Sequence, residues 1–105
     1  MKKIFLLFLS LIGANTHAAE TNFCKDIYGY AEMVMEFRQE GVSLKIMHDT
    51  LNSTDSTPTQ KRLLTFIINN AYHQPRYSSK ENQREAINEF AKDEYFKCLD
   101  TISIK

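Results

Sequence analysis

Cys24 and Cys98 are the only cysteines in a chain of 105 residues. What they can do is decided by the segment ahead of them. Met1-Lys2-Lys3 leads into the apolar run Ile4 to Ala14 and then Asn15-Thr16-His17-Ala18-Ala19. A charged start, an apolar stretch of secretory length and small residues at the end are the marks of a cleavable signal peptide. This reading places the cut after Ala18, so residues 1–18 form the signal and 19–105 a single helical domain. The apolar run falls short of the roughly 20 residues that cross a hydrocarbon core, so contact with a membrane is expected only through an uncleaved signal. The location implied is periplasmic or secreted. In such an oxidising compartment two cysteines default to one intramolecular disulfide, with one possible connectivity.

Removing 18 of the 105 residues leaves 87, enough for one domain and too few for two. A core of that size is modest. A Cys24–Cys98 bridge would close a loop of about 75 residues, which chain-entropy reasoning values at on the order of 4 kcal/mol. Lys2 and Lys3 leave with the signal, so the basic count falls from 13 to 11 against 13 acids, a formal charge of −2. Nucleic acid demands a dense basic face, and that balance argues against it as a partner.

Helical periodicity organises the rest. A first helix is expected from about Phe23 to Glu40, with Cys24, Ile27, Ala31, Val34 and Arg38 on one face and Glu32, Glu36 and Glu40 opposite. Gly41 follows in the position a helix C-cap prefers. Ser43 can cap a second helix, Leu44 to about Leu51, whose Leu44, Met47 and Leu51 should point inward together. The stretch from Asn52 to Thr57 has no apolar residue and reads as a linker. Thr57-Pro58-Thr59-Gln60 then combines a capping-box spacing with proline at the first helical position, opening a third helix that should end near Gln74, ahead of Pro75. Its Leu63, Leu64, Ile67, Ile68 and Ala71 cover a wide arc, with Phe66 at the edge.

The pair Ser78 and Glu81 offers another capping box, and a fourth helix is expected from there to about Leu99, leaving Thr101 to Lys105 as a loose tail. On this helix Ile87, Ala91, Tyr95 and Cys98 share one face, while Glu85, Glu89, Lys92 and Asp93 share the other. Both cysteines therefore face inward from the first and last helices. A bridge between them needs those two helix ends to be neighbours, which an antiparallel pairing of the helices supplies. The fold expected is all-α: a bundle of about four helices closed by one disulfide and preceded by a signal peptide.

No residue pattern here matches a nucleophile or a metal shell. His48 and Asp49 are sequence neighbours and diverge by 100° on a helix, so they do not converge on a metal. His73 belongs at the end of the third helix, where a cation is favoured by the dipole. The acidic repeats Glu32-Glu36-Glu40 and Glu81-Glu85-Glu89 form lines rather than the enclosing shell calcium needs, and read as solvated faces with Arg84 and Lys92 as ion-pair partners. No catalytic residue, metal or cofactor is expected. Arg38 carries its charge into an apolar face, so it must either bond helix-end carbonyls beside Gly41 or meet an anion or partner. Tyr72, Tyr77 and Phe96 fall near polar faces close to Arg76, which suits either the covering of a bundle end or a protein-binding patch. Arg38, Tyr72, Arg76, Tyr77 and Phe96 are thus the candidate contact residues.

The run Ala31-Glu32-Met33-Val34-Met35-Glu36-Phe37-Arg38-Gln39-Glu40-Gly41, together with Cys24, Ala71-Tyr72-His73-Gln74-Pro75 and a late Cys98, resembles a group of small exported two-cysteine proteins of Gram-negative bacteria. Their first helix typically ends in Arg-x-x-Gly, and a later helix ends in an aromatic residue and proline. The resemblance spans most of the mature chain. It implies location and a helical fold, and brings no activity with it. The function expected on these grounds is a non-catalytic protein-binding domain, such as an inhibitor or immunity-type protein. The alternatives are a membrane-retained signal-anchor regulator, of which phage lysis regulators are an example, and an enzyme with a polar pocket around His48, Arg38 or His73.

Overall fold

The computed structural model describes residues 22–104 and shows four helices: α1 (22–40), α2 (Leu44–Asn52), α3 (Pro58–Tyr72) and α4 (Lys80–Ile104). The signal expected over residues 1–18 lies outside the described residues. Among those described there is no strand, and no helix is long and apolar enough to cross a membrane. The all-α bundle expected from periodicity is the observed fold.

Local chemistry sets the boundaries. Gly41 ends α1 at φ 90°, a left-handed conformation that glycine adopts without a Cβ penalty. Around it the Val42 N–H donates to the Phe37 carbonyl at 3.0 Å and the Gly41 N–H to the Arg38 carbonyl at 3.1 Å, the paired bonds of a Schellman cap. Ser43 caps α2 by accepting from the Ile46 N–H. Thr57 and Gln60 form the reciprocal box at the start of α3, with Pro58 in the first turn.

Three expectations shift. Ser79, not Ser78, opens α4: its hydroxyl accepts from the Asn82 N–H and its carbonyl from the Gln83 N–H. α3 stops at Tyr72, two residues before Gln74, because His73 turns the chain. And α4 runs on through Thr101 to Ile104, where a loose tail was expected. Leu44 also differs from its expected inward placement, being 40% exposed in the first turn of α2.

The core is drawn from all four helices: Ile27, Ala31, Val34 and Met35 from α1, Met47 and Leu51 from α2, Ile67, Ile68 and Ala71 from α3, and Phe90 and Ala91 from α4. α2 and α3 form an antiparallel hairpin, tied by His48 to the Asn69 side chain at 3.1 Å and by Lys61 to the Asn52 carbonyl at 3.3 Å. A polar pair enters the core between α3 and α4. The Glu94 carboxylate, 5% exposed, accepts from the Asn70 amide at 3.2 Å and lies 3.7 Å from the Lys97 ammonium, which satisfies a group that would otherwise be costly to bury.

α1 and α4 run antiparallel, and Cys24 is joined to Cys98 across a Cα–Cα distance of 5.5 Å and a sequence separation of 74. The Tyr28 and Tyr95 rings meet edge to face 5.8 Å apart one turn further in. A disulfide of this kind is sustained by an oxidising compartment rather than by the reducing cytosol. Cys24→Ser or Cys98→Ser should lower stability by about 4 kcal/mol if the chain-entropy cost is undiminished. Thermal unfolding under oxidising conditions reads this directly, and an unchanged midpoint would show that the bridge does not constrain the unfolded chain.

Candidate functional site

The end of the α1–α4 pair remote from the disulfide is where the polar side chains converge. Gln39 follows Met35 by four residues and continues the inward stripe of α1, so its amide is carried into the bundle with only 2% exposure. Both ends of that amide are used. Its Nε2 donates to the Pro75 carbonyl at 2.9 Å, and its Oε1 accepts from the Tyr77 N–H at 2.8 Å. From the other side, Gln83 on α4 donates to the Tyr77 carbonyl at 2.7 Å. The α3–α4 loop is therefore held at three backbone groups of Pro75 and Tyr77 by a glutamine from each long helix.

Two arginines complete this clasp. Arg76 reaches back from the loop and donates through Nε to the Gln39 carbonyl at 3.0 Å, satisfying one of the orphan carbonyls at the end of α1. A Cβ on Gly41 would lie 2.8 Å from the Arg76 guanidinium, the far end of a flexible side chain, so it is the positive φ that calls for glycine there. Arg38 donates from Nε and Nη2 to the Gln74 carbonyl at 3.2 and 3.1 Å, and its guanidinium lies 5.3 Å from the centroid of the Tyr72 ring. The Tyr72 hydroxyl donates in turn to the Val42 carbonyl at 2.6 Å. A carbonyl-capping role was expected for Arg38 beside Gly41. The structure gives that position to Arg76 and sends Arg38 to the end of α3.

Of the residues singled out from the sequence, Arg38, Tyr72 and Arg76 are thus joined in one network, and Tyr77 sits at its edge with its backbone fixed and its ring partly exposed. Phe96 is not among them. It lies toward the disulfide end of α4, 6.0 Å from the Tyr95 ring. His73 hydrogen-bonds the Asn69 carbonyl at 2.7 Å, a helix-end role, and His48 shares the same residue's side chain. Among the described residues no three His, Cys, Asp or Glu side chains are grouped to hold a metal.

Tyr77 leads into an open groove of about 550 Å³ beside the clasp, lined by Met35, Gln74, Tyr77, Asn82, Ala86 and Phe90, with Glu85, Glu89 and Asp93 along the same stretch of α4. Its volume is that of a side-chain or small-ligand pocket, roughly 300–1,000 Å³. Apolar and aromatic groups form its floor, and its charged groups are all acidic. Asp93 is paired with Lys97 at 3.1 Å. Ion pairs from Arg84 and Lys92 to this stripe were expected. The ion pairs found among the described residues are Lys45–Asp49, Lys97–Asp93 and Lys97–Glu94, so Glu85 and Glu89 lack a cation. Like charges one turn apart cost a helix about 0.2–0.5 kcal/mol per pair.

Gln39 is the residue of this candidate site that the apolar periodicity did not single out. The available signal was its i+4 relation to Met35 and its i+8 relation to Ala31, which puts a polar amide where the apolar arc should continue. No family model matches this sequence, and no curated protein or solved structure matches it at significant similarity.

Two expectations follow from the clasp. Gln39→Ala leaves the Tyr77 N–H and the Pro75 carbonyl without their partner in a partly buried setting and should cost about 2 kcal/mol in chemical denaturation. Gln39→Glu keeps the size while replacing the donor to Pro75, and should also destabilise; a glutamate variant as stable as the parent would rule out the bond to Pro75. The second concerns alkaline pH. Burial pushes the Tyr30 and Tyr72 phenols above their usual value, opposed at Tyr72 by Arg38, and the hydrogen bond that the Lys97 ammonium donates to Asp93 raises Lys97. All three hold their protons more tightly in the fold than in the unfolded chain. Their contribution is complete below about pH 10 and disappears as pH climbs through the raised values. Unfolding free energy measured from pH 8 to 11 should fall at the top of that range, and a flat profile would contradict the assignment.

Proposed function

We propose that this chain is a periplasmic or secreted protein-binding domain of the inhibitor or immunity type, acting by occupying a partner rather than by catalysis. The observation that carries the reading is the presentation of Tyr77. Its backbone N–H and carbonyl are gripped by Gln39 and Gln83, while its ring lines an open groove on the outside of the bundle. An aromatic side chain offered from a fixed backbone loses little freedom on binding, and such residues dominate the energetics of protein interfaces. The disulfide and the clasp at opposite ends of the α1–α4 pair keep this surface preformed.

The export half of the proposal rests on the N-terminal segment, on the disulfide, and on the resemblance to small exported two-cysteine proteins of Gram-negative bacteria. The partner is taken to be another protein. Tyr77→Ala is the discriminating variant because the clasp uses only backbone atoms of Tyr77, so the fold should survive it. Affinity isolation from the exported fraction, with the parent and Tyr77→Ala as bait, should recover a partner whose binding the variant weakens by about 2 kcal/mol, or roughly 30-fold. Identical recovery by both baits, with matching melting temperatures, would remove the groove as the binding surface.

A further inference from the structure

The charge around the groove narrows the partner. We infer that the segment received there is basic, with an arginine side chain whose stem lies along Tyr77 and Phe90 and whose guanidinium reaches Glu85 and Glu89; this rests on the protein-binding reading above. The lining includes three carboxylates and no Lys, Arg or His. Asp93 is already committed to Lys97, which leaves Glu85 and Glu89 as the carboxylates without an ion pair. They are one helical turn apart on α4, neighbours on the helix surface, and a planar guanidinium can address both at once.

The second groove, of about 400 Å³, supplies a contrast. There Glu32, Glu36 and Glu40 of α1 are accompanied by Lys80 and Arg84 of α4, so the lining carries both signs. Three carboxylates there share the groove with two cations, a net charge of −1 against −3 in the Tyr77 groove. Charge in the Tyr77 groove is one-sided, and its floor of Met35, Ala86 and Phe90 suits the apolar stem of a long cationic side chain better than a small hydrated ion. The protein already contains the pairing proposed, in Arg38 over the face of Tyr72. An arginine arriving from outside would meet Tyr77 and two carboxylates in place of Tyr72 and a carbonyl.

The test uses the exported product of the full chain, isotopically labelled, and three synthetic helical peptides identical except for two positions one turn apart, which carry Arg, Gln or Glu. The Arg peptide should shift the amide resonances of Asn82, Glu85, Ala86 and Glu89, and more salt should weaken it. Glu85→Gln combined with Glu89→Gln should reduce its affinity about tenfold at a melting temperature no lower than the parent's. Reversing both residues to Arg should make the Glu peptide the tighter ligand. A Gln peptide that binds as well as the Arg peptide would overturn the basic partner and leave the groove as a binding surface. Silent groove resonances with all three peptides would overturn it as well, and the Tyr77→Ala comparison then decides separately whether the protein-binding reading falls with it. Concentration-dependent broadening of the same resonances without peptide would assign the groove to a second copy instead.

Discussion

The Gln39 amide is the interaction on which the arrangement of the end of the bundle remote from the disulfide depends. It is buried, it comes from the longest apolar stripe of α1, and it has a single way to be satisfied: carbonyl oxygen to the Tyr77 N–H, amide nitrogen to the Pro75 carbonyl. An unsatisfied buried amide is costly, so the fold that buries Gln39 must also bring the α3–α4 loop back onto α1. A hydrophobic contact could have filled the space without fixing the loop's path. The amide fixes it at two backbone groups on either side of Arg76.

The opposite end of the same helix pair is fixed covalently. Cys24 and Gln39 are separated by the same number of residues on α1 as Gln83 and Cys98 on α4, so the disulfide and the two glutamines mark matching levels of an antiparallel pair. Between them the facing residues include Ala31 and Ala91, both fully buried and small. Two ends held by different chemistry leave little freedom for α1 to slide or rotate against α4. A domain this size has a modest core, and restraint of this kind supplies part of what apolar burial alone does not.

Helix positions were largely legible in the sequence because they follow from local signals: Gly41 after α1, Ser43 before α2, the Thr57–Gln60 box and Pro58 before α3. The inward faces of Cys24 and Cys98 were legible too, since helical spacing alone determines them. What escaped was polar and non-local. Glu94 lies on the same stripe as Ile87, Ala91 and Cys98, yet its burial makes sense only with Asn70 of α3 opposite, a meeting that no local pattern encodes. Gln39 is the same case, with its partners 36 and 38 residues away. The choice between Ser78 and Ser79 as cap for α4 likewise depends on where the clasp releases the chain. Arg38 was recognisable as a charge needing carbonyls, whereas which carbonyls it takes is settled by Arg76 already filling the site at the end of α1.

The groove follows from the clasp. Tyr77 lines it because the glutamines hold the loop there, and Gln74 lines it while its carbonyl is held by Arg38. Its acidic stretch comes from α4, whose outward face was correctly read as charged, although the cations expected beside it do not pair with it. The loop is held as firmly as the helices, which amide hydrogen exchange at Tyr77 reads. The Tyr77 N–H should exchange as slowly as the mid-helix amides of α1, since it can open only when the buried Gln39 side chain is withdrawn. Exchange at the rate of a free loop amide would contradict the account.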